Sequence, residues 1–311
     1  MSILAPRTVP LGGLRAMTVR RTLPQFGRTT IGAWCFVDQF GPNPVADTGG
    51  MSVGAHPHTG LQTVTWLFEG EVEHRDSVGS RELVRPGQVN LMTAGAGISH
   101  SEVSTAAAQR IHGVQLWVAL HDADRHMPPF FEHHVAPRTV IGAATVIVFV
   151  GELAGLRSEA TTFAPLLGAE IVIPAGAHLT LDVDPTFEHG ILVDHGTPVI
   201  NDEPVDRDHL LYLEPGLGQL HIAAGATDTR IVLLGGTPFG EQLVMWWNFI
   251  ARSHEEIVAQ RAQWQDDVVA GGNAHGLFGH VSDDPVIPAP EMPNVRLRAR
   301  GSSLQRRRES G

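Results

Sequence analysis

The chain has 311 residues, 42% hydrophobic and 18% charged, which places it among folded globular proteins with one large or two ordinary cores and excludes a disordered chain. A formal net charge of −11 excludes the basic footprint of general nucleic-acid binding while leaving a protein partner open. The single cysteine, Cys35, cannot close an internal disulfide, no apolar signal region follows Arg7, and no run of about 18 apolar residues occurs, so a cytoplasmic protein without a membrane span is expected.

Taken in order, the chain reads as β structure, with its 34 glycines and 21 prolines marking frequent turns. Runs broken by Pro10, Pro24, Gly27 and Gly41-Pro42 predict early strands, with Thr18–Arg21 an exposed one. Gly32–Val37 predicts a buried strand in which Cys35 is structural. Thr63–Phe68 is β-branched and aromatic, Val72–Asp76 continues outward, Ser77–Ser80 turns, and Glu82–Arg85 and Val89–Met92 add two strands. His112–Leu120 is a further buried strand. Pro128 to Pro137 reads as a polar, proline-marked connection and a domain boundary. Strands resume at Ala144–Val150, Glu170–Ile173, His178–Val183, Gly190–Val193, Leu210–Leu213 and Arg230–Leu234.

After Gly240 the character changes. Val244–Phe249 predicts a last buried strand or docking segment. Ser253 to Glu256 forms a capping box that starts a helix burying Ile257, Trp264 and Val268, and Gly271-Gly272-Asn273 ends it. The tail is proline-rich, then basic through Arg296, Arg298, Arg300 and Arg306 to Arg308, and reads as a solvated extension. The expected division is 1–130 for a metal-binding barrel, 131–240 for a degenerate one, and 241–311 for a strand, helix and tail.

Two pairs with one residue between the partners, His56/His58 and His100/Glu102, stand in this frame. Alternation along a strand points both members of each pair the same way. Two adjacent barrel strands would thus converge three imidazoles and one carboxylate, a donor set suited to Fe(II), Mn, Ni, Cu or Zn that leaves coordination positions open. A closed structural zinc site would be richer in thiolate. Other histidines, His74 and His112 among them, show no comparable geometry and read as surface or supporting residues.

Glycine spacing suggests an internal repeat. Gly50 stands six residues before His56 and Gly70 twelve after His58, while Gly176 and Gly196 stand likewise around Asp182 and Asp184. Ala94–His100 parallels Pro215–His221. The second copy then carries Asp182, Asp184, His221 and Ala223 where the first has its ligands, and is read as scaffold.

The first half contains the spacing of the cupin motifs. The segment His56-Pro57-His58-x-Gly60-x-x-Thr63-Val64-Thr65-Trp66, followed by Glu69–Ser77 and Met92-Thr93-Ala94-Gly95-x-Gly97-Ile98-x-His100-x-Glu102, resembles the pirin family. Arg20–Pro24 and Phe36–Pro42 resemble that family's N-terminal motifs, and the resemblance covers residues 15 to 265. It implies an all-β bicupin, two jelly-roll-like β-barrels in tandem with a short C-terminal helix and tail. It further implies iron in the N-terminal barrel only, held by His56, His58, His100 and Glu102. Thr59 and Gln62 replace an arginine and a glutamate common in the family beside the metal, which bears on substrate preference.

Some pirins resemble quercetin 2,3-dioxygenases, and others act as iron-dependent regulators through protein contacts. The first expectation is an Fe(II) dioxygenase in which Glu102 takes the 3-hydroxyl proton of a flavonol-like aromatic substrate. The anion would react with O₂, with ring opening and loss of carbon monoxide. Trp66, Phe68 and Met92 are candidate pocket walls. The alternative is an iron-binding, redox-sensitive regulatory protein with a protein partner. Sugar isomerases and acid decarboxylases of the cupin superfamily form a third class that would fit a different metal.

Overall fold

A computed structural model describes residues 1–11, 17–281 and 284–302. The Arg306–Arg308 part of the basic tail lies outside the described residues. Two seven-stranded antiparallel sheets stand back to back. The first runs Phe130–Val135, Gln88–Thr93, Leu61–Glu69, Arg110–Ala119, Trp34–Pro44, Met17–Leu23, Arg7–Leu11 in spatial order. The second runs Ser2–Leu4, Leu210–Leu213, Glu188–His195, Thr229–Gly236, Leu166–Ile173, Ala144–Val150, Arg138–Ile141.

A four-stranded sheet closes each into a barrel. On the first it is Ser52–His58, Ile98–Ser104, Val72–Asp76, Arg81–Val84; on the second, His178–Asp182, Gln219–Ala223, Val199–Ile200, Glu203–Pro204. The chain is thus all-β, two cupin barrels in tandem. The longest helix among the described residues, His254–Trp264, is capped by Ser253, whose Oγ accepts from Glu256 N, and runs into a wider turn over Gln265–Val269. No helix among the described residues is long and apolar enough to cross a membrane.

Alternation along one strand explains how the barrels meet. In Leu61–Glu69, Thr63 and Thr65 face into the first barrel, while Gln62, Val64 and Trp66 face the second half. Trp66 stacks on Phe149 with ring centroids 4.8 Å apart and donates from Nε1 to Glu170 at 2.8 Å. Asp194 accepts from Gln39 at 2.5 Å and from Arg230 at 3.1 Å, and lies 2.6 Å from His112 Nε2, satisfying a buried carboxylate across the seam. Cys35 is buried, its Sγ 3.5 Å from Trp117 O, and burial pushes its thiol far up, so it is structural.

Three expectations need correction. The span from Pro128 to Pro137 is no mere connection, because Phe130–Val135 pairs along Gln88–Thr93; flanking prolines hid a strand whose ladder lies between them. This strand and Ser2–Leu4, which pairs with Leu210–Leu213 in the second sheet, carry the halves across one another. The strand at Thr18–Arg21 extends over Met17–Leu23 and is only partly exposed, with Val19 and Leu23 buried.

The third concerns the second barrel. Its interior holds Leu179, Leu181, Leu220 and Ile222, whereas Asp182, Asp184 and His221 lie on the exposed face. Glycine spacing aligned the copies without reproducing the facing, since a one-residue offset exchanges inside and outside. Apolar side chains stand inside the second barrel where the alignment would have put Asp182, Asp184 and His221.

Candidate metal centre

The four predicted ligands sit on two antiparallel strands, Ser52–His58 and Ile98–Ser104, where His100 pairs directly with His56 and Ile98 with His58. Past His100 the register shifts so that Glu102 lies opposite Val53, a bulge at Gly54-Ala55. The bulge frees backbone groups for two purposes. Gly54 O lies 2.8 Å from His56 Nδ1, and Ala55 hydrogen-bonds both ways with the returning C-terminal segment, through Pro285 O and Ile287 N. Gly60 then turns the chain at φ +69°, and a Cβ there would stand 2.4 Å from Ile250 O.

His56, His58 and His100 bring one nitrogen each within 4.8 Å of one another, and all three are buried. His56 Nδ1 faces Gly54 O, and His58 Nδ1 faces Asn248 O at 3.1 Å. Carbonyls only accept, so both rings carry their proton on Nδ1 and turn a bare Nε2 inward. His58 Nε2 faces His100 Nε2 at 3.1 Å, a separation that calls for a shared proton or a shared cation. The donor set therefore fits a divalent metal ion.

Glu102 lines the same cavity. Its carboxylate lies within 4.8 Å of His100 and His74 and is held by Thr65, whose hydroxyl is 2.7 Å from Oε1. It does not reach that distance from all three of His56, His58 and His100, so the structure brings three of the four predicted ligands together and places the fourth beside them.

Burial dominates the electrostatics. It pushes His56 down to about 4, holds His58 and His100 well below the usual imidazole range, and raises the Glu102 carboxyl above the usual carboxylate range. Neutral imidazoles are the form a metal requires.

The cavity, about 400 Å³, is closed by parts the sequence did not point to. Phe36 and Trp117, stacked 3.9 Å apart, form one wall, with Gln115 and Arg21 beside them. Arg21 lies 4.2 Å over Phe36 and is paired to buried Asp38 at 2.7 Å through Nε. Trp247, Asn248, Ile287, Pro288 and Pro290 line it from the C-terminal part of the chain. Trp66 and Phe68 are not walls, because they face the second barrel, and Met92 is not among the lining residues. Thr59 and Gln62 also lie off the cavity. Gln62 bonds Thr93 and Thr161 O on the far face, so its exchange leaves the lining unchanged.

His74, expected as a surface or supporting residue, is buried beside the ligands, and Asp76 was not singled out. His74 Nδ1 lies 3.3 Å from His100 Nδ1, its Nε2 lies 3.1 Å from Asp76 Oδ2, and both residues are buried. The signal was present as a third pair of the same form, His74-x-Asp76, on the strand beside Ile98–Ser104.

Comparison with known proteins agrees with this architecture. Residues 16–118 match the Pirin family and residues 168–269 the family described as Pirin C-terminal cupin domain. A Pseudomonas aeruginosa protein named "Putative quercetin 2,3-dioxygenase PA1205" is 41% identical over 92% of this chain and 89% of its own. A Caulobacter vibrioides "Pirin-like protein" is 31% identical over 79% of this chain and 88% of its own. The crystal structure of a quercetin 2,3-dioxygenase from Acinetobacter baumannii superposes with a TM-score of 0.87 at 35% identity, covering 96% of this chain and 97% of the other.

Proposed function

The chain belongs to the pirin family, and from that premise we propose that its N-terminal barrel is an iron-dependent dioxygenase of quercetin 2,3-dioxygenase type. His56, His58, His100 and Glu102 would hold one Fe(II), with other divalent transition metals able to compete for the same donors. The observation that carries this is the pair of bare Nε2 atoms on His56 and His58, turned with His100 into a cavity that also holds a buried carboxylate. The names of the relatives support a flavonol-like substrate and O₂.

Bound iron supplies Lewis acidity and one-electron chemistry with O₂. The chain's own residues do the rest. A cavity of about 400 Å³ lies within the range of small-molecule sites, roughly 300–1,000 Å³. The stacked Phe36–Trp117 pair offers a flat apolar wall to a planar aromatic ring. Glu102, which lines the cavity and is raised above the usual carboxylate range by burial, is placed to take the 3-hydroxyl proton, and Thr65 holds the carboxylate in place. The flavonolate and O₂ then give a ring-opened ester and carbon monoxide without any further reductant. Trp247, Ile287, Pro288 and Pro290 add apolar lining to the same cavity.

The test has two steps. Metal analysis of purified protein should give one iron per chain that is lost in His56→Ala. Anaerobic iron-loaded protein given quercetin and then O₂ should bleach the flavonol band, and unchanged absorbance at saturating iron removes the activity.

A further inference from the structure

We infer that His74, oriented by Asp76, is a positioning residue that presents the hydrogen-bond acceptor for the Nδ1–H of metal-bound His100. The inference rests on His100 being a ligand, as proposed above. It concerns two residues that the ligand set does not include.

The three strands fix the geometry. Ile98–Ser104 pairs with Val72–Asp76 so that His100 stands opposite Asp76 and Glu102 opposite His74. All four side chains lie on the face turned toward the cavity. Phe131 stacks on the His74 ring at 4.5 Å and 19°, which fixes its plane. The ring is therefore clamped between an aromatic side chain, a carboxylate and another imidazole.

Proton placement follows from the partners. An ionised Asp76 accepts only, so His74 carries a proton on Nε2, 3.1 Å from Asp76 Oδ2. The neutral ring then has a bare Nδ1, which faces His100 Nδ1 at 3.3 Å. When His100 gives its Nε2 lone pair to a metal, its one remaining proton sits on Nδ1 and points at that acceptor. Asp76, His74 and His100 thus form a line in which each member sets the tautomer of the next.

His74 is also within 4.8 Å of His100 and Glu102 through ligand atoms, so a direct metal role needs an answer. Its Nδ1 meets the nitrogen of His100 that points away from His58, while His100 Nε2 faces His58 Nε2. Recruiting His74 would turn His100 away from the His56–His58 pair. The geometry favours support over ligation.

Asp76→Asn isolates the effect. Asp76 Oδ1 accepts from Val78 N at 3.0 Å and Ser80 N at 2.9 Å, and an asparagine oxygen keeps both bonds of the turn. Its amide N–H₂ would sit at Oδ2 and donate to His74 Nε2, moving the His74 proton to Nδ1 and setting two N–H groups against each other. His74→Asn places an amide oxygen near the Nδ1 position and accepts from His100 whatever stands at 76.

The experiment is a Co(II) titration, read by chelator competition and by the visible d–d spectrum, on wild type, Asp76→Asn, His74→Asn and the double variant. The expected loss in Asp76→Asn is about 10–100-fold in affinity, the range for outer-shell partners. In the His74→Asn background the same change should cost less than about two-fold on this scale. Equal losses in both backgrounds, or none in either, overturn the inference while leaving the metal site standing. Loss of all Co(II) uptake in His74→Asn also overturns it, by making His74 a ligand. Wild type that binds no Co(II) overturns the metal reading and this inference together. Should Asp76→Asn fail to fold, ¹⁵N NMR of Zn(II)-loaded wild type decides. A protonated Nε2 and bare Nδ1 on His74 are expected, and a proton on Nδ1 refutes the line.

Discussion

Metal affinity should depend only weakly on pH in mildly acid solution, because the three imidazoles are already stripped of proton affinity by burial. Three ordinary histidines at 6.5 would each lose about eight-fold in availability between pH 7 and 5.5, or about 600-fold together, with a limiting slope near three protons per metal. His56, pushed down to about 4, stays neutral over that range, and His58 and His100 are lowered as well. Proton competition is then left to Glu102, which burial raises. One carboxylate can cost at most about thirty-fold over those 1.5 pH units, with a slope no greater than one.

Co(II) competition titrations at half-unit steps, corrected for the chelator's own protonation, measure the slope directly. A mean slope of about two or more between pH 6.5 and 5.5 would refute the reasoning, since three rings as well solvated as free histidine give about 2.2 there. The same shifts set the sign for the metal-free protein. A histidine with a folded pKa below 6.5 binds fewer protons folded than unfolded, so stability falls as pH drops from 6.5 toward 4. His56 and His189, both buried and both pushed down to about 4, contribute roughly 3 kcal/mol each at most to that loss.

Phe149→Ala removes the ring stacked on Trp66 at the seam and should cost about 3–5 kcal/mol in chemical denaturation. Co(II) affinity should stay within about two-fold, because Glu170 still holds Trp66 Nε1 at 2.8 Å and keeps the strand in place. Ser253→Ala deletes the cap on Glu256 N and should cost about 1 kcal/mol, with Ser253→Asp restoring it. Asp182→Ala and His221→Ala should leave metal stoichiometry at the wild-type value, because both side chains are exposed on the outside of the second barrel. A fall in bound metal in either variant would show that this barrel takes part.

Much of the frame was legible because alternation and turn residues act locally. Ala144–Val150 and Leu210–Leu213 run where the β-branched and leucine-rich stretches put them, and Ser253 caps the helix as its spacing requires. The convergence of His56, His58 and His100 was legible for the same reason, as same-face pairs on strands that pair. What failed depended on which sheet a residue faces. Trp66 and Asp182 follow the right period, yet the period does not say which face is inside. The C-terminal lining of the cavity was illegible for another reason. Ile287 and Pro290 lie about 200 residues from the ligands in sequence and reach the cavity where Ala55, freed by the bulge, pairs with their segment and where Trp264 Nε1 donates to Ile287 O at 3.0 Å.

The strand Leu61–Glu69 shows why the second barrel is not dispensable to the site. Thr65 reaches Glu102 on one face, and its neighbour Trp66 is clamped by Phe149 and Glu170 on the other. Moving that strand relative to the second sheet would move the hydroxyl that holds the carboxylate. His74 is held from within the first barrel, since Phe131, which stacks on it, belongs to the edge strand that pairs along Gln88–Thr93. An isolated first barrel would lose the Phe149 and Glu170 clamp on Leu61–Glu69 while keeping all three histidines. It should therefore retain imidazole ligands but lose the fixed position of Glu102 that selective binding and proton transfer require.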